Sequence, residues 1–139
     1  MENNAKQKLI ANWKIKPDND IEIVKIGLAS NKIISDVLCF HCQQCVEKYL
    51  KLFLIYHNID FPKTHNISII LEECKKIDSN FTVLQDIVYL TEYAVEIRYP
   101  DDFYIPDLEE TQKAYNNALK VKDFISRKLK YFFKKFGGF

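Results

Sequence analysis

The chain has 139 residues, 47% hydrophobic and 28% charged, with 20 Lys and Arg against 19 Asp and Glu and a net charge of +1. That is one domain's worth of sequence, apolar enough to fold without disulfides or a structural metal, and its charge balance excludes a polyanion-coating protein or an acidic disordered tail. Three Gly and four Pro are few turn-formers for this length, which favours long helices.

The opening residues hold no apolar stretch of leader length, and nowhere do apolar residues run for the eighteen or so positions of a membrane span, so a cytoplasmic protein is expected. Between residues 9 and 28 the apolar stripe Leu9, Trp13, Pro17, Ile21, Val24, Leu28 follows the alternating four-and-three spacing of an amphipathic helix. Pro17 offers no amide to the Trp13 carbonyl and disfavours helical angles at Lys16, so one kinked helix or two short stacked helices fit, and a helix kinked at Pro17 is the expectation. From Ser35 to Tyr56, Leu38, Cys42, Cys45, Tyr49, Leu52, Phe53 and Tyr56 share one face. His41, Gln44, Glu47, Lys48 and Lys51 gather on another, where Glu47 and Lys51 have the spacing of an i,i+4 ion pair.

Residues 58–64 read as a connection around Phe61-Pro62, with Thr64 or Asn66 capping a third helix that carries Ile67, Ile70, Leu71, Cys74 and Ile77. After a short turn at 78–80, a fourth helix is expected with Leu84, Ile87, Val88, Thr91, Ala94 and Val95 inward, ending near Arg98 because Pro100 follows. Residues 99–107, bounded by Pro100 and Pro106, form a loop with Asp101, Asp102, Phe103 and Tyr104. Asp107 then caps a last helix through Ala114, Ala118, Val121, Ile125, Leu129, Phe132 and Phe136, with Glu109 and Glu110 near the positive end of its dipole. No segment alternates with period two. The expected fold is all-α: an up-and-down bundle of four to five helices, one domain over 1–139 with its core at about 5–130 and a basic, aromatic extension at 131–139.

The run Cys39-Phe40-His41-Cys42-Gln43-Gln44-Cys45-Val46-Glu47-Lys48-Tyr49-Leu50-Lys51 resembles the signature of HEPN domains. Trp13 ahead of it, Thr64-His65 before the third helix and Arg98-Tyr99-Pro100 closing the fourth agree in order and spacing. The resemblance implies a helical homodimer that often acts beside a minimal nucleotidyltransferase in a toxin–antitoxin-like module. It also implies, for many relatives, metal-independent RNA cleavage by an arginine followed after four to six residues by histidine. Here Arg98 is followed at that distance by Phe103, Tyr104 and Ile105, so the histidine is missing.

Cleavage through a ribose 2′-hydroxyl needs a base of near-neutral pKa, which neither carboxylates nor a tyrosine supplies, whereas a guanidinium can hold phosphate without one. The expected site therefore binds a nucleotide or RNA phosphates. Its candidates are Arg98, Tyr99, Asp101, Asp102 and Tyr104, with His41, Gln44, Lys48 and Lys51 on the second helix. The alternatives are an endoribonuclease that recruits His41 or His65 to Arg98, and a non-catalytic protein-interaction module. Relatives that carry a tyrosine just after the RNase histidine have it nucleotidylated by the partner, and Tyr104 stands near that position.

Cys39, Cys42 and Cys45 on a continuous helix spread over more than a turn and cannot converge on one ion, so they read as core thiols and no metal or cofactor is expected. The basic run Lys120, Lys122, Arg127, Lys128, Lys130, Lys134 and Lys135, interleaved with phenylalanines, is either a solvated face or a surface for RNA, an acidic partner or anionic lipid.

Overall fold

A computed structural model describes residues 2–94 and 104–137 of the chain. Five α-helices run in order: α1 (Glu2–Leu28), α2 (Ser35–Tyr56), α3 (Ile67–Ile77), α4 (Leu108–Lys128) and α5 (Lys130–Phe136). A 3-10 helix, Ser79–Ala94, lies between α3 and α4, and no strand occurs among the described residues. None of the described helices is long and apolar enough to cross a membrane.

The central element is α2, packed by α1, α3, α4 and the 3-10 helix. Its apolar residues from Cys39 to Leu54 are almost all solvent-free, and so are its polar Gln43, Glu47 and Lys51. α1 is one continuous helix with Pro17 inside it, which removes the alternative of two short stacked helices. Its inner stripe is Ile10, Lys14, Pro17, Ile21 and Val24, one position round from the expected stripe at its start. Leu9 is half exposed. Lys14 takes the inner place because its alkyl stem packs inward while its ammonium reaches Asp18 and lies 5.8 Å from the Phe133 ring centre.

The fourth helix departs most from expectation. Its buried residues are Phe81, Leu84, Ile87, Leu90 and Tyr93, spaced by three throughout, so the winding matches the apolar period of three residues per turn. Val88 and Thr91, expected inside, are only partly buried, and Val95 and Arg98 fall outside the described residues. The last helix also breaks, at Leu129, and the break turns Phe133 into the core while Phe136 stays exposed.

Asn66 caps α3 by accepting from the Ser68 amide at 2.9 Å, and Asp107 caps α4 by accepting from the Glu110 amide at 2.8 Å. Pairings along the bundle give the helix directions. Cys39 meets Thr111 and Tyr56 meets Phe132, so α2 and α4 run the same way. Gln43 bonds the His65 carbonyl and Cys74 the Leu50 carbonyl, so α3 is also parallel to α2, contrary to the antiparallel order expected of sequential helices. Residues 57–66 make this possible by running back along the bundle. Phe61 anchors them, 5.3 Å from Trp13 and 4.9 Å below the Lys51 ammonium.

Candidate functional site

The polar strip of α2 is occupied by carboxylates. Asp20, 7% exposed on α1, accepts from His41 Nδ1 and Lys48 Nζ, each at 2.8 Å, while the Trp13 indole donates to the Lys48 carbonyl at 3.1 Å. Beside it Asp18 accepts from Tyr49, pairs with Lys14, and lies 3.6 Å from Lys122. Burial, then the Asp18 carboxylate, push the Tyr49 phenol far up, so this hydroxyl is a permanent donor.

One turn on, Glu47, only 4% exposed, accepts from Gln43 at 3.0 Å, from Lys51 at 3.0 Å and from His65 Nδ1 at 2.8 Å. Burial alone would raise its carboxyl. The hydrogen bonds from Gln43, His65 and Lys51, with the Lys51 charge, overcome that and hold it below the usual carboxylate range. Gln44 donates to Gln43 at 2.7 Å. Thus the expected Glu47–Lys51 pair exists, but inside the protein. Of the four α2 candidates, His41, Lys48 and Lys51 each have an anionic partner, and Gln44 serves the Glu47 cluster.

The network's outward-facing member is His65. Its side chain is 70% exposed while Nδ1 is held on buried Glu47, so the rest of the ring is presented to solvent with a carboxylate fixing its orientation. The resemblance named Thr64-His65 and Glu47 separately; their pairing across eighteen residues was invisible to spacing, because it depends on the returning segment 57–66.

Arg98, Tyr99, Asp101 and Asp102 lie outside the described residues. The described residues on either side of them, up to Ala94 and from Tyr104, lie at one end of the bundle. There the 3-10 helix finishes, α2 and α4 begin, and α3 begins nearby, with the Ile67 amide donating to Thr91 Oγ1 at 3.0 Å. Tyr104, 55% exposed, and Tyr93, nearly buried, both donate to the Glu110 carboxylate. That bond, with lesser help from surrounding carboxylates, pushes the Tyr104 phenol up to about 12. Tyr93 and Glu110 were missed as partners from sequence; only the register of the 3-10 helix against α4 brings them together.

All four cysteines are free and buried. Burial raises every thiol, Cys39 to about 11 and Cys74 to about 12, so they pack as small apolar side chains. Among the described residues no group of three or more His, Cys, Asp or Glu could hold a metal ion.

The HEPN domain family matches residues 13–129, and the chain belongs to that family. Among its relatives is a Methanocaldococcus jannaschii protein named "Putative toxin MJ1304", 30% identical over 133 residues that span 81% of this chain and 86% of the relative. The crystal structure of ST0689, described as an archaeal HEPN homologue, shares the fold with a TM-score of 0.66 at 20% identity, covering 86% of this chain and 97% of that one.

Proposed function

We propose that this protein is the toxin-like HEPN member of a two-protein module, a helical homodimer that grips phosphate, of a nucleotide or of RNA, through Arg98 and its adjoining loop. A minimal nucleotidyltransferase is its partner. The observation that carries the reading is the shared direction of α2, α3 and α4. The described 3-10 helix reaches Ala94, four residues before Arg98, at the end of the bundle where α2, α3 and α4 begin, and the positive ends of their dipoles favour an anion. Of the carboxylates at this end, Asp107 is engaged as the α4 cap and Glu110 accepts from two tyrosines. The toxin role is taken from the M. jannaschii relative and the family.

Calorimetry with AMP, ATP and a short oligoribonucleotide, together with light scattering, tests this reading. It expects a dimer and saturable binding that Arg98→Ala weakens about tenfold, the loss of one charge-assisted phosphate contact. A strict monomer with no binding overturns it.

A second reading, metal-independent RNA cleavage, draws on the Glu47–His65 pair. The imidazole that Arg98 lacks in its own segment would come from His65, which is oriented by a buried carboxylate and open to solvent on the side away from it. RNA cut by the native chain and left intact by both His65→Ala and Arg98→Ala supports this reading; equal cutting by all three removes it.

A further inference from the structure

At the other end of the bundle, where α1 begins and α2 ends, α5 folds across, and Tyr56, His57, Phe132 and Phe136 line an open aromatic cleft. The inner side of α5 sets its orientation: Phe133 is in the core and Phe132 stands edge-on to Tyr56 at 5.7 Å. The helical turn then gathers Lys130, Tyr131, Lys134 and Lys135 on the outer side, all of them exposed. Tyr131 is 87% exposed, and Phe136, 44% exposed, stands at the tip of the helix.

Lys130, Lys134 and Lys135 make no ion pair among the described residues, and neither do Lys6 and Lys8 in the first turns of α1. The cations just before them are neutralised, Arg127 by Asp123 and Lys128 by Asp78. Exposed Asp60, in the connection that leaves α2, offsets one of the five free charges. This end of the molecule is therefore a cationic face with two exposed rings on it. Lysines with long aliphatic stems beside a phenol suit the interface of an anionic bilayer, where ammoniums meet lipid phosphates and a tyrosine keeps its ring at headgroup level and its hydroxyl in water.

We propose that this end of the bundle is a peripheral membrane contact, the outer face of α5 resting on an anionic lipid surface with Lys130, Lys134 and Lys135 on the headgroups and Tyr131 and Phe136 between them. With only seven residues, α5 cannot anchor the chain by insertion, so the lysines supply most of the attraction and the rings add to it. A single RNA strand fits this face less well. Strand binding uses a basic groove with rings in succession, but of the five lysines only Lys6 lines the cleft, and on the outer side Tyr131 stands alone. The surface lies away from the Arg98 end and does not depend on the function proposed there.

Cosedimentation of the full chain with vesicles tests the proposal. The chain should pellet with vesicles of mixed phosphatidylcholine and phosphatidylglycerol, and not with phosphatidylcholine alone. Raising salt from about 0.1 M to about 1 M shortens the screening length from about 10 Å to about 3 Å and should release it. Lys130→Ala and Lys134→Ala combined should weaken binding about 25-fold, or about fivefold for each charge removed. Tyr131→Ala should weaken it about fivefold at unchanged charge, and Lys32→Ala, at the opposite end, should leave it unchanged. Thermal melts check that each variant is folded. No sedimentation with the anionic vesicles, equal sedimentation with phosphatidylcholine alone, binding that survives either α5 variant, or an equal loss with Lys32→Ala would each overturn the proposal. So would a polyuridylate that binds through the same lysines while the vesicles do not.

Discussion

Two lysine-bearing stretches of this chain look alike in sequence and differ completely in their surroundings. On α2, His41, Lys48 and Lys51 are met by Asp20 and Glu47, which are all but buried. On α5, Lys130 and Lys134 have no anionic partner among the described residues and Lys135 rests on a phenylalanine ring. A cation buried beside a carboxylate fixes how two elements pack, and its removal leaves an uncompensated charge. An unpaired cation at the surface contributes little to folding and is left available to a ligand.

The sharpest way to break this contrast is Glu47→Ala, which strands Lys51 and unfastens Gln43 and His65. A loss of roughly 3–5 kcal/mol in urea unfolding is expected, and a loss below about 1 kcal/mol would mean that the strip is no structural network. Tyr49→Phe deletes the hydroxyl that Asp18 accepts from and should cost roughly 1–3 kcal/mol by the same measurement. Asn66→Ala removes the α3 cap and should cost about 1 kcal/mol. At the small end, Lys134→Ala should change stability by less than about 0.5 kcal/mol, in keeping with an exposed, unpaired side chain.

Acid sharpens the comparison further. Because folding lowers the Glu47 pKa, its contribution is fully present above the unfolded carboxylate value near ~4.3 and is lost as pH falls through the lower folded value. Glu47→Gln cannot titrate and should show a shallower loss of stability across that acid range than the native chain. Parallel acid curves for the two would remove Glu47 as a linked group.

How much was legible differs from element to element. α2 was readable with its ends and α3 with its ends and its cap, because an amphipathic period and Asn66 are local signals. The 3-10 helix was readable in place but not in winding: Phe81, Leu84, Ile87, Leu90 and Tyr93 repeat every three residues, a spacing that an α-helix also tolerates over a turn or two. In the candidate site, Tyr104, the α2 strip and the Glu47–Lys51 pair could be named, but not Asp20, Glu110 or the His65 contact.

From its sequence alone the chain determined helices rather than strands, the burial of the α2 cysteines, and a family signature whose arginine lacks the following histidine, since apolar spacing and motif order are properties of neighbours along the chain. Only tertiary structure decided that Asp20 neutralises His41 and Lys48, that His65 is held on Glu47, that three helix N-termini share one end, and that an aromatic cleft opens at the other. Each of these depends on which residues distant in the chain become neighbours in space. Here the backward run of residues 57–66 and the break at Leu129 set much of that placement.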